Sequence, residues 1–418
     1  MTRPTSFSLD TQATLARFVL PVVAAAGLGC ASMGAQSAPP APRVIDGTPR
    51  CATCVITRTK LTTLASSGDS IRIDDAEEVL PGLGPTVHSD GRGRAYVDAV
   101  GGLAVFDSTG RLIHVLALPG MAGGRPGPAL GEIWIGPGDT VLAEVRPAQP
   151  AQYRAVFDPE YRLVREQGYP SGIQGLLPFA DGGAVFVAAM RPRSGDDTVL
   201  HVANDRGAVL RSFGGVADAT SCPRCVRRRL FASVPNRPTE FWTMPTLDYR
   251  LQRWTVDGLL RADFVVKDAA WFRGANGSGT PDEPTPAGPL WNPPPPTITG
   301  VCADDRGRVW VLGHVAASGW QPVDLSSNEL HGQIGGVAVT RLPTRGFVLP
   351  DASWARIATN VTTVIDVIDP TTGSLLVSQR FEHEQMRLAG PGVAYVRRRG
   401  PDGAWYVDLY RLSLLPSG

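Results

Sequence analysis

Apolar and polar residues alternate in short runs along most of this chain, and the runs come in pairs joined by a small turn. Leu103 to Leu116 reads LAVFDSTGRLIHVL, and Arg154 to Gln167 reads RAVFDPEYRLVREQ. Related phrases are LHVANDRGAVLRSF (Leu200 to Phe213), LQRWTVDGLLRADF (Leu251 to Phe264) and VIDVIDPTTGSLLVSQRF (Val364 to Phe381). A period of two that breaks at an Asp-containing turn, usually with Gly, is the signature of a β-hairpin. The carboxylate can hydrogen-bond the turn backbone, and Gly accepts the positive φ such turns need.

The turn aspartates stand at Asp107, Asp158, Asp205, Asp257 and Asp369, at intervals of 51, 47, 52 and 112. The last interval is twice 56, as if one phrase were displaced or hidden by insertion. A second pattern, Val-x-x-Asp-x-x-Gly-Arg-x-aromatic-Val, occurs as TVHSDGRGRAYV near residue 87. It returns as GVCADDRGRVWV 214 residues later, or four steps of 53.5. A period near 50 made only of strands points to the four-stranded blades of a β-propeller.

With strands A to D counted outward from the axis, the chain divides into six blades. The A–B units are TVHSDGRGRAYV, then Leu130 to Val145, Gly175 to Met190, Leu230 to Met244 and Gly300 to Val315. Met386 to Leu412 supplies strands A, B and C of the sixth blade, and there the blade pattern ends. Its missing outer strand is available at the other end of the chain, in CVITRTKLTTLA (Cys54 to Ala65), which would latch the ring and remove an exposed sheet edge. The expected fold is all-β: a six-bladed β-propeller over residues 51–415, closed by an N-terminal strand that completes the last blade. The blade phrases resemble the six-bladed propellers of the NHL and TolB-like type, notably exported bacterial ones. The resemblance implies a blade and not an activity.

The first 35 residues read differently. Arg3 and Arg17 precede Phe18 to Cys30 (FVLPVVAAAGLGC), an apolar run too short to span a bilayer but suited to a signal-peptide core. A Pro/Ala-rich linker is expected over 36–50. Cleavage near Ala31, Ala35 or Ser37 would give a free protein in the periplasm, cell envelope or medium, whereas processing at Cys30 would give a lipid-anchored one. That anchor is the only membrane attachment the sequence suggests. The net charge of +1 gives no reason to expect nucleic acid, and a monomer is expected. With 43% hydrophobic residues, 47 Gly and 37 Pro, the composition suits a large core built from short strands and tight turns.

Chemistry is sparse. Two CxxC pairs, Cys51/Cys54 and Cys222/Cys225, would suit a four-thiolate zinc site, but the blade assignment places them on opposite faces of the ring. Two local disulfides are expected instead, with Cys302, in the repeat position of His88, a quiet strand residue. Asp90, Asp304, Asp107, Asp158 and Asp369 recur at turns and read as turn caps rather than calcium ligands. The six histidines show no metal-binding spacing, so neither metal nor cofactor is expected.

Two long insertions, at about 267–298 and 316–360, interrupt the passage from blade 4 to blade 5 and the B–C connection of blade 5. Both open on the same rim. Their aromatic and imidazole side chains, Trp271, Phe272, Trp291, Trp320, His331 and Trp354, are candidates for holding a protein, peptide or sugar-like ligand. Arg227 and Arg228 lie near the same rim and would attract an anion. The reading is an exported, non-enzymatic binding or scaffold module. The alternative is a metal-dependent lactonase- or lyase-like propeller enzyme, which would need polar side chains converging on the axis.

Overall fold

The recurring Asp-x-x-Gly-Arg-x-aromatic pattern is a turn held from inside by its own carboxylate. Asp90 Oδ1 accepts from the amides of Arg92 and Arg94, both at 2.9 Å, while Oδ2 accepts from Arg94 Nε at 2.5 Å and Tyr96 OH at 2.9 Å. Asp304 repeats this with the amides of Arg306 (3.0 Å) and Arg308 (2.9 Å), Arg308 Nε (2.6 Å) and Trp310 Nε1 (3.0 Å). Gly93 and Gly307, the third residue on in each turn, both have φ of 77°, which explains the repeated spacing to Gly. The aromatic residue is there to cap the carboxylate from strand B. Asp107 and Asp158 bind the amides two and four residues on, and Asp369 those of Thr371 and Thr372. In blades 3 and 4 the equivalent caps are Asn204 and Thr255, not Asp205 and Asp257, because the turn needs only a side-chain acceptor at its first position.

The computed structural model describes residues 40–65, 87–99, 102–116, 129–146, 153–168, 173–188, 198–215, 229–272, 290–291, 296–319, 323–324, 332–334, 337–339, 361–399 and 405–416. Strand β1 is Arg43–Asp46 and β2 is Cys54–Ala65. Blade 1 holds β3 (Val87–Ser89), β4 (Ala95–Ala99), β5 (Gly102–Phe106) and β6 (Leu112–Leu116). Blade 2 holds β7 (Ala129–Ile135), β8 (Val141–Arg146), β9 (Tyr153–Phe157) and β10 (Leu163–Gly168). Blade 3 holds β11 (Ile173–Pro178), β12 (Ala184–Ala188), β13 (Thr198–Ala203) and β14 (Val209–Gly215). Blade 4 holds β15 (Arg229–Val234), β16 (Arg237–Pro245), β17 (Arg250–Thr255) and β18 (Leu260–Lys267).

The second rim insertion and its neighbour contribute short pairs: β19 (Leu290–Trp291), β22 (Val323–Asp324), β23 (Gly332–Ile334) and β24 (Val337–Val339). Blade 5 is β20 (Thr297–Ala303), β21 (Val309–Ala316), β25 (Val361–Asp369) and β26 (Ser374–Phe381). Blade 6 is β27 (Met386–Gly390), β28 (Val393–Arg399), β29 (Trp405–Pro416) and, outermost, β2. The protein is a six-bladed β-propeller. In the doubled interval before Asp369 the described residues form one blade, blade 5, with one insertion before it and one between its second and third strands.

β2 runs antiparallel to β29 from Cys54 opposite Pro416 to Ala65 opposite Tyr406, with Ile56 and Leu64 buried. Within the stretch 36–50 read as a linker, residues 43–46 form a strand. β1 adds to β18 as a fifth, parallel strand of blade 4, with Arg43 opposite Phe264 and Asp46 opposite Lys267. Ile45 is fully buried between blades 4 and 5, a burial that stabilises by about 2 kcal/mol. The chain then crosses the edge of blade 5, where the amides of Arg50 and Cys51 donate to the carbonyls of Leu375 (2.9 Å) and Leu376 (3.0 Å). Gln379 of β26 binds both the amide and the carbonyl of Ile56. Residues 43–65 thus form a belt over the outer edges of blades 4, 5 and 6.

The core is divided in the same way as the sheets. Six apolar clusters occupy the six seams between adjacent blades, among them Tyr96, Ile133 and Phe157 between blades 1 and 2, and Val185, Leu200 and Phe241 between blades 3 and 4. Each strand's alternate side chains enter the seam on either side, so every blade contributes to two clusters.

Candidate functional site

The B–C and D–A connections open on one face of the ring, and both rim insertions belong to it. At the root of the first insertion, β18 ends at Lys267 and the chain turns inward through Asp268, whose φ is 58°. Trp271 and Phe272 follow. Both were candidates for holding a ligand at the rim, and both are buried, at 6% and 8% exposure, in the seam between blades 4 and 5. They pack with Tyr249, which ends the B–C turn of blade 4: ring centroids lie 5.6 Å apart for Tyr249–Trp271, 5.4 Å for Tyr249–Phe272 and 5.3 Å for Trp271–Phe272.

The Trp271 ring rests on β21 at Gly313, where a Cβ would stand 2.1 Å from the indole. Only glycine leaves room for it. The indole Nε1 donates to Asp366 Oδ2 at 2.9 Å, and Tyr249 OH donates to the same oxygen at 2.5 Å. Asp366 is fully buried on β25. Burial pushes its carboxyl pKa above the ordinary value, against the donors Ser378, Tyr249 and Trp271, which favour the charged form. The first insertion is therefore pinned at its root by a wedge across two blades. Asp366, Tyr249 and Gly313 were missed from the sequence. The available signal was a lone Asp inside the otherwise apolar run VTTVIDVI.

Leu290 lies opposite Asp324 and Trp291 opposite Val323 in a short antiparallel ladder, so described residues of the D–A connection into blade 5 and of the B–C connection within it are paired. Trp320, His331, Trp354, Arg227, Arg228, Cys222, Cys225 and Cys30 lie outside the described residues. Cys51 and Cys54 are joined in a disulfide inside the belt. Cys302 is buried facing blade 6, and burial raises its thiol pKa to about 12. His88, its counterpart in blade 1, is lowered to about 4 by burial and is therefore a neutral imidazole at neutral pH. Asp304 is held in its own turn by the amides of Arg306 and Arg308, Arg308 Nε and Trp310 Nε1. Among the described residues no three His, Cys, Asp or Glu side chains gather in a way that could hold a metal ion.

Fold and site together define a propeller with one elaborated face. No family model and no curated protein matches the chain. Among solved structures it is similar to a member of the DUF4221 family from Bacteroides vulgatus, at 8% identity and a TM-score of 0.49, covering 86% of this chain and 99% of that one. It is also similar to virginiamycin B lyase from Staphylococcus aureus (9% identity, TM-score 0.39, 85% and 99% covered) and to a luciferin-regenerating enzyme (10%, 0.37, 83% and 95%). At these identities the likeness concerns the path of the chain and not its chemistry.

Proposed function

We propose that the protein is an exported binding or scaffold propeller of the NHL and TolB-like type, and that the face bearing the two insertions holds its partner. The observation that carries this reading is the Leu290–Trp291/Val323–Asp324 ladder, which joins two separate connections above a root wedged by Trp271. A ladder between two separate connections restricts both where they pair, which lowers the ordering cost of binding a partner there. The signal-like N-terminus and the Cys51–Cys54 disulfide support export to an oxidising compartment. The occupant of this face is a protein, peptide or sugar-like molecule, bound by the aromatic residues of the insertions. The metal-dependent enzyme alternative would need ligands from residues outside the described set.

The test is a comparison of envelope-extract proteins retained by the full chain and by a chain in which residues 273–289 and 325–360 are replaced with short Gly/Ser linkers. Both proteins are first shown to unfold at the same temperature. Loss of the specifically retained proteins is the expected result. An identical set retained by both would sink the reading.

A further inference from the structure

On the opposite face, where the A–B and C–D turns lie, two seams can be compared position by position. The A–B turn of blade 1 is closed by Asp90 N to Arg94 O and Gly93 N to Asp90 O; that of blade 3 by Phe179 N to Gly183 O and Gly182 N to Phe179 O. Phe179 therefore occupies the place of Asp90, and Gly183 the place of Arg94. Arg94 crosses into blade 2, where Nη1 donates to Pro159 O at 3.0 Å and to Tyr161 OH at 2.9 Å, with Asp139 3.8 Å from Nη2. That guanidinium fills the seam. Gly183 sends nothing toward blade 4, and a groove of about 410 Å³ lies there instead.

The groove has the features of a site that has lost its arginine. Phe179, Pro238 and Val256 give it apolar walls, and Leu210, 64% exposed, stands at its outer end. Val256 follows Thr255 as Pro159 follows Asp158 in an equivalently bonded turn, so it holds the position whose carbonyl receives Arg94 in the other seam. Three carboxylates line the groove, those of Asp181, Asp205 and Asp257, against one guanidinium, Arg211. Arg211 is already engaged by Asp257 at 3.1 Å, and Asp205 lies 3.8 Å from Arg165. Asp181 accepts only the Gly183 amide, at 2.8 Å, and meets no cation among the described residues.

We propose that this groove receives the arginine side chain of an extended segment of a partner protein. The incoming guanidinium takes the seam position that Arg94 fills between blades 1 and 2, and a flanking apolar residue covers Phe179 and Leu210. Arginine fits better than lysine because its planar head can stack on Phe179 while donating to carbonyl and carboxylate together. The site is on the face opposite the insertions and does not depend on them.

The probes are three fluorescein-labelled pentapeptides, Leu-Val-Arg-Val-Leu and its Lys and Glu counterparts, titrated against the whole protein by fluorescence anisotropy. The expected result is saturable binding of the Arg peptide below about 1 mM, with the Glu peptide at least about tenfold weaker. The double variant Asp181→Asn/Asp257→Asn and, separately, Leu210→Lys at the exposed mouth should each weaken the Arg peptide by about tenfold without lowering the melting temperature. A Lys peptide as tight as the Arg peptide would overturn the guanidinium assignment. Equal binding of the Glu peptide, unchanged affinity in both variants, or no binding of the Arg peptide up to about 10 mM would overturn the site.

Discussion

The segment 43–65 lies on the outer strands of blades 4 and 5 and itself supplies the outermost strand of blade 6, whereas blades 1, 2 and 3 take no strand from it. On the bare side β6 exposes Leu112, Ile113 and Val115, β10 exposes Leu163 and Val164, and β14 exposes Val209 and Leu210. On the belted side the corresponding edges are taken up by β1, by the backbone of Arg50 and Cys51, and by β2 itself. The ring is closed, as expected, by β2 as the outermost strand of blade 6, and the residues just before it extend across blades 5 and 4. Covering a row of unpaired backbone groups both stabilises the outer strands and blocks edge-to-edge association. The belted half also carries both rim insertions, which makes mechanical sense: the blades that bear extra chain are the ones tied together.

Removing the belt should have the largest effect. A chain beginning at residue 66 loses the whole β2–β29 ladder and the buried Ile45, Ile56 and Leu64, a loss of about 5 kcal/mol or more, comparable to the entire stability of many domains. The expected outcome is aggregation or a non-cooperative melt, read by size-exclusion chromatography and calorimetry. A soluble monomer with an unchanged melting temperature would show that the belt is ornamental.

The next largest effect should come from the Trp271 wedge. Trp271→Ala empties a buried ring site and leaves the Tyr249–Asp366 pair with one donor fewer, and should cost about 3–5 kcal/mol in denaturant unfolding. Gly313→Ala forces the ring off its seat from the other side and should cost about 1–3 kcal/mol. If the two effects add fully in the double variant, the ring and the glycine do not share one contact, and the wedge description fails.

Asp366 gives this seam a pH dependence with a definite sign. Its carboxyl pKa in the folded state lies above the ordinary 3.8, so the folded protein binds the proton more tightly than the unfolded one. The stabilising contribution is complete below pH 3.8 and is lost as the pH rises through the folded value. Asp366→Asn should therefore flatten the fall in melting temperature above about pH 4. A parallel displacement of the whole curve, with its slope kept, would mean that other groups carry the dependence.

Much of this fold could be read in the sequence because blades write themselves locally. Alternation gives the strands, an acceptor three or four residues before a Gly gives the turns, and CVITRTKLTTLA declares itself as a strand without a local partner. β1 did not show. RVID is four residues in a Pro- and Ala-rich stretch, and its parallel partner lies more than 200 residues away, so no local pattern marks it. Asn204 and Thr255 were overlooked because the recurrent Asp draws attention, whereas the turn asks only for an oxygen. Trp271 misled for a related reason. An aromatic residue beside a Pro/Gly-rich insertion looks exposed, and what buries it is an absence of side chain at Gly313, which composition cannot reveal. The seam groove is also an absence, an arginine replaced by glycine, and becomes visible only when blades are superposed in register.

The disulfide separates the two arms of the belt, and it should matter less than either arm. Cys51 and Cys54 close a loop of only a few residues, so the bond removes little freedom from the unfolded chain, and Cys51→Ser/Cys54→Ser should cost about 2 kcal/mol at most. Limited proteolysis should find new cleavage confined to residues 47–54, with β1 and β2 still protected. Cleavage spreading through β2 would mean the disulfide holds the strap in place.

The smallest expected effect is also the sharpest test of the contrast between the two halves. Val164 on bare β10 is 59% exposed, and Ile45 on the belt is fully buried. Lysine at Val164 has solvent to project into and leaves the strand's inward residues untouched, so Val164→Lys should change stability by no more than about 0.5 kcal/mol. Lysine at Ile45 would bring an ammonium into the apolar seam between blades 4 and 5, so Ile45→Lys should cost about 3 kcal/mol or more unless the belt strand detaches. Detachment would itself be visible as rapid amide exchange at Val265, the register partner of Val44, while the amide of Val266, which donates to Tyr249 O, and those of β17 remain protected. Similar costs at the two sites would mean that the bare edges depend on packing no less than the belted ones, and the division of the ring into a strapped and an open half would no longer stand.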